Sequence, residues 1–340
     1  MPKTLHATCW LLAGLLPAVA AANTPAEQQF LQQLTQHELL PRYHQVADSS
    51  RQLASSIDAL CRTPGKAALT TSRQAWLTAY RNWQAVAPLN WGPTAERRSQ
   101  RVIAFRPTRP ALIEAAIGQK LGASAEGYEQ AGAAAKGYNA IEYTLYDSAS
   151  QLSQPARCQW LQRNAAEIAS HTPVLLADWQ RFAADLTRSG ETGAPYSNSK
   201  QPLEEVVNLT LAGLNELHKE LARIGSVKPE QVIGQRSASG KQLVRTQFAL
   251  LHAVLVGADN KSGLTLLLAD KQPALAAELV SKVAAVESGL QQLPDNLVQV
   301  GNSSRAAAST DALEALMDAL EGPVTQALDI TLSFNESDGD

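Results

Sequence analysis

What this chain lacks narrows its chemistry before anything it contains. It has no His-Glu-x-x-His pair and no Gly-x-Ser-x-Gly elbow, so neither a zincin helix nor a serine-hydrolase nucleophile turn is present. His37, His44, His171, His218 and His252 are dispersed, and only His37 and His44 share a helical face. Those two stand two turns apart, about 10 Å along a helix axis, too far to share one ion. His252, set among Leu250, Leu251 and Val254, reads as a residue at the edge of a core. Lysine and arginine are scattered without a basic stripe and the formal net charge is −3, which makes nucleic acid and anionic membrane poor candidates as partners. Past the first 22 residues no apolar run reaches transmembrane length, and alternating strand patterns are absent.

Residues 1–22 read as a secretory signal. Lys3 supplies a positive start, Cys9 to Val19 an apolar stretch too short to span a bilayer, and Ala18-Val19-Ala20 or Ala20-Ala21-Ala22 a small-residue cleavage site. No cysteine follows to accept a lipid, so a soluble protein outside the cytoplasmic membrane is expected. Of the three cysteines, cleavage removes Cys9. Cys61 and Cys158 then remain in an oxidising compartment, where a single disulfide is the natural reading and two separate buried thiols the alternative. Such a bridge would staple one domain, because both cysteines lie in the first half.

What is present is helical periodicity nearly throughout. Leu69, Trp76, Ala79, Trp83 and Val86 mark one apolar face, and Leu203, Val207, Leu214, Leu217, Leu221 and Ile224 an almost heptad-like stripe. Leu275, Leu279, Val283, Val286, Leu290 and Leu293 repeat the pattern, and Leu313, Leu316, Leu320 and Leu328 follow. These stripes predict an all-α fold of two four-helix-type bundles packed side by side. The chain length suggests two domains. The segment from Thr187 to Pro202 is rich in small, polar and breaker residues without an apolar face, so the expected division is 23–188, a linker at 189–202, and 203–334. Residues 335–340 form an acidic tail. Pro88 to Pro93 and Arg106 to Pro110 predict shaped loops inside the first half.

The stretch Gly137-Tyr138-Asn139-Ala140-Ile141-Glu142-Tyr143 resembles the Gly-x-His-x-x-Glu signature of the imelysin family, with Asn139 in the histidine's place. The resemblance runs from about Gln28 to Asn296. It includes a helix with Trp76 and Trp83 ending at Gly92-Pro93, the Arg157-Cys158 pair, a helix carrying Trp179, and the second-half stretch Gln235-Arg236-Ser237-Ala238-Ser239-Gly240. It implies a periplasmic protein of two helical bundles, often encoded with iron-acquisition components, whose site lies where the bundles meet. The family's first members were described as metallopeptidases, and many others are regarded as iron-linked binding proteins.

On a helix, Asn139, Glu142, Tyr143 and Tyr146 form one polar stripe, beside an apolar one of Tyr138, Ile141 and Leu145. Carboxylate and phenolate oxygens suit hard trivalent iron, so Glu142 with Tyr143 or Tyr146 is a candidate metal set. The alternative is a Glu142 hydrogen-bonded at the bundle interface and tyrosines that only pack. An asparagine amide is a far poorer transition-metal ligand than imidazole, which weighs against a peptidase. Ser237 or Ser239 is read as a helix N-cap, with Arg236 beside it to favour an anion. A site that persists is expected between the bundles, with Glu142 and Tyr143 from the first half and Arg236 and Ser237 from the second, and a Glu142 facing Arg236 would form an ion pair. Trp76, Trp83, Trp160 and Trp179 are assigned to the core, whereas Trp91, in its loop, is placed at a ligand mouth or domain interface. The reading that results is a non-enzymatic imelysin-like protein of iron or iron-chelate uptake, its cleft between the bundles and its partners other uptake components. A metal-dependent peptidase and an interaction scaffold with a vestigial site are the alternatives.

Overall fold

The computed structural model describes residues 24–224, 229–300 and 304–333; the signal at 1–22 and the acidic tail at 335–340 lie outside them. The fold is all-α, with no strand among the described residues. Helix α1, Pro25–Gln32, opens on a capping box in which Thr24 and Glu27 each accept the other's backbone amide. A π-helical stretch, Gln33–Leu39, carries it into α2, Leu40–Arg62, and α3 is Lys66–Gln84. The prolines at 88, 93, 107 and 110 then break the chain into short pieces, including Pro93–Glu96, Ser99–Ile103 and Pro110–Gly118. Helix α4, Gly137–Tyr146, carries the signature, and α5, Pro155–Thr187, is the longest.

Helix α6 spans Lys200–Ala222 and so begins inside the expected linker. Pro202 falls in its first turn, where a missing amide donor breaks no intrahelical bond. Helices α7, Gly240–Leu255, α8, Pro273–Gln292, and α9, Ser304–Ala319, complete the second half. In the first half α2 packs on α3 and α5, and α4 closes the ring between α3 and α5. In the second, α6 packs on α7 and α9, and α8 closes between those two. Helix α3 meets α7 across the halves, and α1 lies against α5, α6 and the short helix Leu264–Leu268. One continuous apolar core runs from Phe30 to Ile330, with a small satellite around Ile113, Tyr128 and Trp160.

Cys61, at the end of α2, is bonded to Cys158, in the first turn of α5, with Cα atoms 5.6 Å apart. The bridge closes a separation of 97 residues within the first half. Peptide mapping without reductant should yield one cross-linked species joining the two; free thiols at both positions in material from an oxidising compartment would overturn this.

Candidate functional site

The signature helix is held by its backbone before its side chains are considered. Gly137 sits at φ +78, and a Cβ there would lie 2.2 Å from the Ile103 carbonyl oxygen. Only glycine fits that approach. Its amide donates to Asn164 Oδ1 at 2.7 Å, and Trp76 Nε1 donates to the Tyr138 carbonyl at 2.8 Å. Helix α4 is thus pinned at its first turn from two directions.

Asn139 is buried and donates through Nδ2 to the Phe105 carbonyl at 3.0 Å. Glu142, only 2% exposed, reaches the second half, where its Oε1 accepts the Ser237 amide at 3.1 Å and lies 2.7 Å from Ser237 Oγ. Ser239 Oγ stands 2.7 Å behind Ser237 Oγ. Neither serine caps α7, contrary to the sequence reading: the helix starts at Gly240, and its N-cap Ser239 makes no side-chain capping bond. Ser237 Oγ is turned to the Glu142 carboxylate instead, and Ser239 Oγ to Ser237 Oγ. Nor does Arg236 pair with Glu142. Its Nε donates to Asp147 Oδ2 at 2.7 Å, one turn beyond, and its guanidinium carbon stands 5.6 Å from the centre of the Tyr143 ring.

The rest of the polar stripe diverges. Tyr143 donates at 2.8 Å to Glu114, which Arg157 grips with both terminal nitrogens at 2.8 and 2.7 Å. Burial first, then the Glu114 carboxylate, pushes the Tyr143 phenol up to about 12, while the Arg157 hydrogen bond holds Glu114 below the usual carboxylate range. Tyr146 lies under the Arg73 guanidinium, 4.5 Å from its ring centre, and edge-on to Trp76. Glu142 is thus engaged by Ser237 and Tyr143 by Glu114, while Tyr146 packs its ring against Arg73 and Trp76. Among the described residues no group of three or more His, Cys, Asp and Glu side chains is placed to hold a metal. Trp91 is not at a ligand mouth either. It is 3% exposed, packed edge-on to Trp179 and Phe182, and donates to Glu205 of α6 at 2.7 Å, so it belongs to the contact between the halves.

Burial raises the Glu142 carboxyl above the usual carboxylate range, against the opposing pull of the Ser237 hydrogen bonds and of Arg236 and Arg106. The folded chain consequently holds this proton more tightly than the unfolded chain. The stability it contributes is full below the ordinary glutamate pKa and is lost as pH rises through the raised value. Glu142→Gln should remove that slope: the difference in unfolding free energy between wild type and variant, measured by denaturant titration at several pH values, should shrink as pH rises above the ordinary glutamate range. A difference independent of pH would contradict it.

Between the halves lies a cleft of about 970 Å³, and the signature residues do not line it. Its walls come from the α3 end, the 95–107 segment, α6 and Gln247 of α7. Arg106 enters it with its side chain 23% exposed and donates to Glu220 at 3.0 Å and to the Gln231 carbonyl at 2.8 Å. Glu220 also accepts the Ile233 amide at 2.8 Å. Tyr80 lies buried close to this pair, and burial raises its pKa. None of Arg106, Glu220 and Tyr80 was marked by the sequence reading. The available signal was the density of arginine at 97, 98, 101, 106 and 109, a local cluster in a chain whose basic residues otherwise look scattered.

The sequence pattern of the imelysin family matches residues 39–326. Iron-regulated protein A of Synechococcus elongatus is 22% identical over 334 residues, covering 93% of this chain and 91% of that protein. An imelysin-like protein from Psychrobacter arcticum superposes with a TM-score of 0.73 at 18% identity, over 92% of this chain and 99% of that one. A protein of Parabacteroides distasonis described as a putative iron-regulated protein A precursor gives 0.74 at 15%, over 90% and 96%. With the pattern matched across both rings of helices, and the signature held as described at their junction, the chain belongs to the imelysin family.

Proposed function

We propose that this protein is a non-enzymatic binding protein of the periplasm that takes part in the uptake of iron or an iron chelate, with its ligand in the cleft between the halves and iron-uptake components as its partners. The observation that carries the reading is the division of labour between two places. The signature's polar groups are taken up in holding the structure together, Asn139 on the Phe105 carbonyl and Glu142 on Ser237. The open cavity, with charged walls, lies beside them. The names of two relatives, the iron-regulated protein A of Synechococcus elongatus and the iron-regulated protein A precursor of Parabacteroides distasonis, support the link to iron. Iron enters here as cargo, and the reading places it in the cleft rather than on Glu142, Tyr143 and Tyr146.

Equilibrium dialysis followed by metal analysis tests the proposal. Saturable retention of ferric citrate at about one per chain is expected, without chelator-sensitive cleavage of a protein substrate after zinc loading. Retention of no iron in any form would favour the scaffold reading, and chelator-sensitive cleavage abolished by Glu142→Ala would favour the peptidase.

A further inference from the structure

The charges around the cleft are not balanced. Glu220 is met by Arg106 at 3.0 Å and Arg223 at 3.7 Å, and Glu216 by Lys219 at 3.1 Å, so both carboxylates on the α6 wall already have cations. On the opposite wall Arg98 and Arg101 line the same cavity. Neither guanidinium has an ion-pair or hydrogen-bond partner among the described residues, whereas the adjacent Arg97 is bound to Asp178. Arg98, at φ 50, stands just before the short helix Ser99–Ile103 and Arg101 lies within it, and both line the one cavity. Two positive charges therefore stand uncompensated over a cleft in a chain whose formal net charge is −3.

The rest of the lining says what kind of anion would fit. Pro88, Phe105, Leu209 and Leu217 give the cavity an apolar part. At Gly213 a Cβ would come within 3.0 Å of the Pro88 carbonyl oxygen, so the glycine lets α6 approach the 85–91 turn closely and shape the cavity between them. The volume is that of a site for a small organic molecule rather than a bare ion. Guanidinium groups grip carboxylates in two-pronged fashion.

From this geometry we infer that Arg98 and Arg101 form an anion subsite for a small organic polycarboxylate whose carbon body lies against the apolar wall of the cleft. The inference rests on the proposed function for the place of binding and deepens it by naming the ligand chemistry.

Calorimetric titration at low salt, with citrate, ferric citrate and inorganic phosphate as probes, tests it on the full chain. Wild type should bind citrate. The double variant Arg98→Gln/Arg101→Gln should bind it roughly ten- to a hundred-fold more weakly, as expected for the loss of charge-assisted bonds. The exposed Arg51→Gln should leave it unchanged, and circular dichroism should show both variants folded. Added salt should weaken wild-type binding more than that of the double variant. Ferric citrate binding that the double variant retains undiminished would overturn the subsite while leaving the iron reading intact. Citrate binding that depends on both arginines and gains nothing from iron would keep the subsite and remove the iron reading. Phosphate binding more tightly than citrate would overturn the assignment to carboxylates, and no binding of any probe to wild type would overturn the subsite itself.

Discussion

Gly137→Ala is expected to destabilise the protein by on the order of 3–5 kcal/mol, the larger of the two largest effects anticipated for this chain. Two independent penalties meet there. The residue sits at φ +78, in the left-handed region that costs a residue with a side chain roughly 1–2 kcal/mol. In addition, the new methyl would lie 2.2 Å from a backbone oxygen, that of Ile103, which cannot swing aside as a side-chain tip could. Either the 103 segment or the start of α4 must move, and the bond from the Gly137 amide to Asn164 moves with it. Thermal or denaturant unfolding against Gly118→Ala provides the comparison. Gly118 is exposed at a helix end, and a Cβ there meets nothing within 4 Å, so that control should be neutral or slightly stabilising. Equal midpoints for the two variants would sink the account.

Glu220→Ala should cost about 2–4 kcal/mol. Breaking a buried ion pair by removing one partner typically costs roughly 3–5 kcal/mol, and the range is lowered here because the Arg106 side chain is 23% exposed, so water can reach it. The loss has two parts, an arginine left without its main counter-charge and an Ile233 amide left without its acceptor. Burial opposes the Arg106 charge, but Glu220, with Tyr80 and Glu142 behind it, more than offsets this and holds its pKa above the ordinary value. Glu220→Gln, which keeps an acceptor, should lose less. The double variant Arg106→Met/Glu220→Leu should be more stable than Glu220→Ala alone, since an absent pair leaves no buried charge behind. A double variant as unstable as the sum of the single changes would show that packing, rather than the pair, sets the cost.

How much of this was legible in the sequence follows the range of the interactions. The helices were, because each stripe from Leu203 to Ile224 or from Leu279 to Leu293 is a local pattern that packing then satisfies. The disulfide was legible from compartment and scarcity. Asn139 and Glu142 were picked out by the signature, yet their partners, the Phe105 carbonyl and Ser237, lie 34 and 95 residues away. No periodicity reports a contact at that distance. Arg236 shows the same limit: sequence reasoning placed it near the signature helix opposite Glu142, whereas its partner is Asp147, just past the end of α4. Trp91 was legible in part: its place in a loop left a ligand mouth and a domain interface open, and only the tertiary fold, which surrounds it with Trp179, Phe182 and Glu205, decides for the interface. The arginines of the cleft were visible as letters only, since their significance depends on which carboxylates across the cleft are already engaged.

The seat of helix α1 carries a consequence in time. Its neighbours include α6 and the helix Leu264–Leu268, and Glu27 receives a hydrogen bond from Ser199. That part of the seat belongs to the second half of the chain, so α1 is fully covered only once that half has folded. The helix nearest the start is therefore completed late, and the bond from Ser199 to Glu27 marks the meeting of the two halves.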